Sequence, residues 1–368
     1  MFVLELAKHL SKMGVDIKII TITTRDKIVA PYRQYMKFTE IGGPLSSSIF
    51  FWVQLPLSTY KIHRLLNKLP HDSVFTQVFP ANWWGGLLKL FNPSLKLVWM
   101  CQEPSAFIHS NEWIASVKGT GMKIGIRILR PLLRALDIYF TKKHDFVIAN
   151  SKFTLRNAQS TYKISPENSA YSHLGVDTEI FKPHHQTKLN QFLVVNTLTK
   201  FKNTFCIIAA FNSFRKTSAS GYKLYIVGAG PTLHGLKKYI ERERLGKIVE
   251  FLGVGPQKVF IKTFQESKAL ILASQEPFGL VVAEALASGT PAIVVKGSGA
   301  SEIIEDGKTG YTFEYMNQKD LLGKMHAIKN ATDLEAEKMR TACMERAKEF
   351  AWPKVAKKYL ELLNEAAN

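Results

Sequence analysis

Cysteine is scarce in this chain of 368 residues: Cys101, Cys206 and Cys343 lie far apart, without a CxxC pair, which excludes a disulfide framework and a cysteine zinc site. A reducing compartment, the cytoplasm, is expected. No stretch approaches the roughly 18 uncharged apolar residues that a membrane span needs. The nearest, Ile49-Phe50-Phe51-Trp52-Val53, sits in a run containing serine and proline. Glu5 and Lys8 interrupt the first apolar stretch, so no signal peptide is expected at the start. Acidic residues are also in deficit, 30 Asp+Glu against 49 Lys+Arg, for a net charge of +19. The excess is +11 over residues 1–183 and +8 over 184–368, so it belongs to folded surface and predicts an anionic partner. Repeats and low-complexity segments are lacking. Hydrophobic residues at 46% and charged residues at 21% exclude a disordered or collagen-like chain.

The length exceeds what one hydrophobic core usually serves, so two domains are expected. Apolar spacings of three and four predict a helix over 2–13, stopped by Gly14, with a strand following over 15–22. Further strands are expected at 74–78, 95–100 and 145–150, with helices between them, the pattern of a parallel α/β sheet. The polar connector 184–191 reads as the domain linker. After it, strands at 192–195, 223–228, 249–253, 269–272 and 292–295 alternate with helices at about 203–214, 231–243, 256–266 and 279–288. Five such units make a Rossmann-like domain. A last helix is expected over 355–365, after Trp352-Pro353. The expected division is 1–183, 184–345, and a 346–368 segment packing back on the N-terminal domain.

Ligands of open α/β sheets bind beyond the carboxyl ends of the strands, so the turns there are the candidate sites. Gly228-Ala229-Gly230-Pro231 follows a strand and opens a helix, a turn whose amides can receive phosphate. The segment 273–291 is richer. Glu276 stands in the turn after a strand, Phe278, Gly279 and Leu280 offer amides at a helix start, and Glu284 lies a little over two turns further on. Carboxylates accept from sugar or ribose hydroxyls and amides suit a phosphate, so a nucleotide-sugar would engage both. A helix-start acid and a solvated carboxylate fit the same residues, and the pattern alone leaves both readings open.

The segment 273–291 resembles the E-x7-E element of the GT-B glycosyltransferases, particularly the large retaining group counted as family 4. The resemblance extends to Asn150-Ser151-Lys152-Phe153-Thr154, the segment 174–183, Tyr225 to Pro231, Phe251-Leu252-Gly253, Gly299 to Ile304, Asp306 to Tyr311, and the tryptophan before the last helix. It implies a GT-B fold of two Rossmann-like domains facing a cleft. It implies transfer of a hexosyl group, with retention, from a nucleotide-diphosphate sugar (UDP- or GDP-linked) to a glycan or lipid-linked acceptor. By this resemblance Glu276 contacts the transferred sugar, Phe278, Gly279 and Leu280 supply main-chain contacts, Glu284 holds the ribose hydroxyls, and Val254 lies against the base. Lys202 falls where the family keeps a lysine on the donor diphosphate. No metal and no cofactor are expected, the cationic side chain taking that part.

Three positions depart from the family pattern. Thr197 stands where a second phosphate cation is usual, and Gln102, beside Glu103, stands where the acceptor-side histidine is expected. The strand and glycine-rich loop that precede the first helix in relatives have no counterpart here, so the first N-terminal strand is expected to be missing. These departures motivate the alternative of a catalytically impaired or truncated GT-B relative that acts as a nucleotide- or carbohydrate-binding or partner protein. Residues 113–145 carry seven basic and two acidic residues, with Lys123, Arg127, Arg130 and Arg134 at helical spacing among isoleucines and leucines. That stretch is expected to meet an anionic membrane surface, placing the protein peripherally on the inner face. Nucleic acid is not expected, because no recognition motif accompanies the charge.

Overall fold

Runs of apolar residues covered by helices on both faces become buried parallel strands, and the computed structural model follows this rule in both halves of the chain. It describes residues 2–44, 49–111, 114, 120–184, 188–217 and 221–367. Two units are formed, Met1–Gly175 with Trp352–Asn368, and Val176–Ala351.

The first unit opens with α1 (Phe2–Ser11), β1 (Lys18–Thr21), α2 (Asp26–Val29) and β2 (Lys37–Glu40). Next come α3 (Ile49–Val53), α4 (Leu55–Leu66), β3 (Val74–Gln77), α5 (Val78–Phe91) and β4 (Leu97–Cys101). The series ends with α6 (Ala106–His109), α7 (Thr120–Thr141), β5 (Phe146–Ala149), α8 (Lys152–Tyr162) and β6 (Ser169–Tyr171). Strands β1 and β2 form a parallel pair, and β3-β4-β5-β6 form a second parallel sheet. All residues of β4 and β5 are buried, which locates the core of this sheet. Trp113 and residues 115–119, part of the basic stretch, lie outside the described residues.

The second unit holds β7 (Gln191–Val195), α9 (Thr204–Thr217), β8 (Lys223–Val227), α10 (Leu233–Arg242), β9 (Val249–Gly253) and α11 (Gln257–Glu266). It continues with β10 (Ala269–Ile271), α12 (Leu280–Ala287), β11 (Ala292–Val295), β12 (Gly310–Phe313), α13 (Gln318–Asn330) and α14 (Asp333–Ala347). Its strands form one six-stranded parallel sheet in the order β12-β11-β10-β7-β8-β9. Strand β12, at the edge, was not among the five expected: it is four residues long and starts on a glycine, too little for a periodic signal.

The unit boundaries fall at 175/176 and 351/352 rather than at 183/184 and 345/346. Val176 N donates to Phe350 O (2.8 Å), and the Phe181 ring packs against Phe264 at 6.1 Å, so residues 176–183 belong to the second unit. The polar segment 184–191 does not mark the boundary: Lys188 Nζ reaches Thr290 Oγ1 (2.5 Å), Gln191 is the buried first residue of β7, and 185–187 lie outside the described residues.

The last helix, α15 (Trp352–Ala367), belongs to the first unit, against α1. Tyr359 is fully buried there, donating to Ser172 O (3.0 Å), its ring 5.8 Å from Phe2 and 6.4 Å from Phe75. Truncating a buried aromatic leaves a cavity as well as lost contacts. Tyr359→Ala is expected to destabilise the first unit by about 3–5 kcal/mol, and Tyr359→Phe by about 1 kcal/mol for the lost hydrogen bond. Denaturant titrations read by hydrogen exchange check this, with protection lost in Met1–Gly175 and kept in Val176–Ala351.

Candidate functional site

Strand order reverses beside β7. The chain runs outward through β8 and β9, then returns to lay β10 on the other side of β7, with Ala269 opposite Phe192 and Leu270 opposite Leu193. Neighbouring parallel strands send their following loops the same way, so a crevice opens where the order reverses. The loop after β7 carries Lys202, in a short 3-10 turn over Lys200–Lys202, and the loop after β10 carries Ser274 and Glu276.

These loops meet. Lys202 Nζ donates to Glu276 Oε1 and Oε2 at 2.6 and 2.7 Å, and Ser274 Oγ donates to Oε1 at 2.5 Å. Both side chains are mostly buried, 20% and 12% exposed, so this ion pair is shielded from solvent. Asn203, in the left-handed region at φ 54°, closes the turn and sends Nδ2 to Ala273 O (3.4 Å), tying one loop to the other. Neither Ser274 nor Asn203 was marked by the sequence reading. The Asn that stops the 3-10 turn is the one local signal that could have pointed to it.

Gly228 and Gly230 have a steric role. A Cβ on Gly228, at φ +138°, would sit 1.9 Å from Asn196 O, and one on Gly230 would sit 2.3 Å from Leu198 O. The turn after β8 therefore packs backbone against backbone on the Lys202 loop, and Leu198 N donates to Ala229 O (2.9 Å). The Gly228 amide is engaged with Gly253 O at 2.9 Å. Next to it, Val254 is 78% exposed at the end of β9.

Gly279, left-handed at φ 86°, caps α12. The first amides of a helix have no acceptor within it, and they carry the positive end of its dipole. Phe278 is buried, with its ring 6.1 Å from Phe350, and anchors this turn; Leu280 is partly exposed. Along α12, Val282, Ala283, Ala285, Leu286 and Ala287 are buried, leaving Leu280, Val281 and Glu284 on the open side. Among the described residues no hydrogen bond or ion pair reaches the Glu284 carboxylate, and burial pushes its pKa up to about 7. The site thus holds a paired carboxylate and cation, a helix start, and a second carboxylate without a partner. Such a set can bind an anion at the cation and amides, and hydroxyl groups at the carboxylates.

Gln102 and Glu103 lie in the first unit, at the carboxyl end of β4, where Asn150 Nδ2 donates to Gln102 O (2.9 Å). His109, close by in sequence, is held by the buried Asp137 at 2.9 Å.

Residues 1–180 match the family model described as Glycosyltransferase Family 4, and residues 176–350 match that of Glycosyl transferases group 1. Curated relatives include a D-inositol 3-phosphate glycosyltransferase of Corynebacterium aurimucosum, 22% identical over 96% of this chain and 88% of the relative. One from a Mycobacterium species is 21% identical, over 95% and 81%. Among solved structures, a glycosyltransferase from Rickettsia africae superposes with a TM-score of 0.74 at 20% identity, covering 98% of this chain and 93% of that one. Anabaena HepE in complex with UDP and glucose gives 0.74 at 15% identity, covering 98% and 94%. These likenesses establish the GT-B fold.

Glu284 supplies a pH test. Its folded pKa of about 7 lies above its ordinary value of 4.5, so the folded state holds the proton more tightly. Stability is then lost as pH rises through this window, and the penalty is complete above about pH 7. Glu284→Gln is expected to match the wild type near about pH 4 and to exceed it in denaturant midpoint near about pH 8. Equal midpoints at both values would refute the buried, unpaired state.

Proposed function

Because the chain belongs, over nearly its whole length, to the GT-B glycosyltransferases of the group 1 and family 4 type, we propose that it moves a hexosyl group from a nucleotide-diphosphate sugar to a sugar or lipid-linked acceptor, with retention. The observation that carries the reading is the Lys202–Glu276 pair at the strand-order reversal. A UDP- or GDP-sugar has the matching groups: a diphosphate for Lys202 and the α12 amides, a hexose for Glu276, and a ribose diol for Glu284. UDP in the complex of Anabaena HepE supports a uridine donor by analogy.

Lys202 and Glu276 satisfy each other. Donor binding gives the ammonium a diphosphate in place of the carboxylate, and gives the carboxylate hydroxyl donors in place of the ammonium. Lys202 then meets the charge that grows on the departing nucleoside diphosphate, a role that requires no metal ion. Glu276, steadied by Ser274, fixes the hexose so that the acceptor hydroxyl meets the anomeric carbon. Thr197 brings a hydroxyl where relatives have a second cation, so Lys202 carries more of the phosphate charge here. On the acceptor side, Gln102 can bond a sugar hydroxyl without titrating, and Glu103 stands beside it. The acceptor would be met at an anionic membrane surface.

The experiment is nucleoside-diphosphate release from UDP- and GDP-sugars, with and without lipid-linked acceptor. Lys202→Ala is expected to lower turnover by about 10²–10³-fold, the loss typical of a donor aimed at transition-state charge, and Glu276→Ala by about 10²-fold through lost positioning of the hexose. Full turnover in either variant would remove that residue from the mechanism. Nucleotide binding without release from any donor would leave the chain a binding protein.

A further inference from the structure

The rotation of α7 about its own axis is fixed from inside. Asp137, with no exposed surface, accepts from Asn82 Nδ2 (3.0 Å), Trp83 Nε1 (2.7 Å) and Tyr162 OH (2.9 Å), and pairs with His109 Nε2 (2.9 Å). The same side sends Arg130 to the carbonyl oxygens of Ile108 (2.6 Å) and His109 (2.8 Å), and Arg134 reaches those carbonyls at 3.3 and 3.4 Å. This corrects the expectation from spacing: two of the four basic residues of the stretch are bound to backbone at the end of α6 and do not head an outward cationic face.

What α7 turns outward is apolar. Ile124, Ile128, Leu129, Leu132 and Tyr139 are 52%, 71%, 55%, 59% and 47% exposed. These residues recur every three to four positions on one side, and Asp137, the sole acid of the helix, is on the other. Cations rim the face: Arg127 is exposed, and Lys143 Nζ lies 4.8 Å over the Tyr139 ring.

A second element packs on the same buried cluster. Phe51 and Leu55, at the start of α3 and α4, share one apolar cluster with Leu133 and Leu136 of α7, both elements resting on α5. Outward from that cluster, Val53, Leu57 and Tyr60 are 73%, 54% and 52% exposed, and Arg64 and Lys68 extend the same helical stripe. From Ile41 to His71 the sequence has no acidic residue.

We infer that the outward faces of α3–α4 and α7 together form the surface that inserts into an anionic bilayer, the apolar residues entering the acyl boundary and Arg64, Lys68, Arg127 and Lys143 meeting lipid headgroups. An apolar face rimmed by cations and free of acid has this chemistry, whereas a neutral protein partner makes no use of the rim. No described helix is long and apolar enough to span a membrane, so α7 lies in the interface plane, about 33 Å along it. The inference rests on the reading of a membrane-presented acceptor and adds the element that supplies the cations.

The test is co-sedimentation of the full chain with vesicles of phosphatidylglycerol and phosphatidylcholine, against phosphatidylcholine alone. Binding to the anionic vesicles is expected, weakening with salt. Ile128→Ser with Leu132→Ser, and separately Arg64→Glu with Lys68→Glu, are each expected to lower partition by at least about tenfold. Leu334→Ser, an exposed leucine of the second unit, is expected to leave it unchanged. Unchanged melting curves exclude misfolding. Loss with the α7 pair but not the α4 pair overturns the two-element surface. So does a dimer that the α7 pair dissociates in a chain that binds no vesicle. Donor hydrolysis in solution is read in parallel: vesicle binding without hydrolysis keeps the surface and removes the transferase reading, and hydrolysis without vesicle binding does the reverse.

Discussion

The site depends on the pairing of β7 with β10 at the middle of the second unit's sheet. Residues 202 and 276 are remote in sequence, and no local contact brings one to the other. Two parallel strands in register, Leu193 against Leu270, send their loops out at the same edge, and a 2.6 Å ion pair closes between them. The register is held by fully buried apolar side chains, Phe192, Leu193, Ala269, Leu270 and Ile271. Both faces of these strands are buried, so alternation does not choose between registers, and the ion pair favours this alignment. The loop after β8 adds a steric constraint, because Gly228 and Gly230 let its backbone lie on the Lys202 loop where any side chain would push it away.

The two acids of α12 and its preceding turn have opposite electrostatic situations. Glu276 has a cation and a hydroxyl on it; Glu284 has burial and no partner. The Lys202–Glu276 pair leaves neither buried charge without a partner, and removing one member would leave the other uncompensated. An unpaired buried carboxylate is costly, and its raised pKa is that cost expressed as proton affinity. Hydroxyl donors arriving at Glu284 would relieve it, so the proposed donor would gain there, whereas at Lys202 and Glu276 it would exchange one set of partners for another.

Much of the second unit was legible. Its first five strands are mostly apolar runs of three to five residues, and helices fill the spaces between them as the spacing predicts. Glu276, Gly279 and Glu284 could be placed around a helix start from the order of residue types alone. Less legible were features set by partners distant in sequence. β12 gains its identity from pairing with β11, β2 from pairing with β1, and β6 from pairing with β5. Ser274 and Asn203 act through loops whose meeting no window of sequence contains. The unit boundary was misplaced because a polar segment signals exposure, and exposure occurs within a unit as well as between units.

The basic stretch shows how a correct pattern can carry the wrong orientation. Helical spacing gave α7 two faces but could not say which one the core would take. The choice was made by one buried carboxylate: Asp137 needs several donors to be tolerable without water, and α5, α6 and α8 supply them from one direction only. With that side committed inward, Arg130 and Arg134 follow Asp137 and cap the carbonyls of α6, and the isoleucines and leucines are left facing out. An exposed apolar face of this length is unfavourable in water. In the first unit it lies beside a segment from which acids are missing altogether, and the two facts have a common explanation if the medium on that side is an anionic lipid surface.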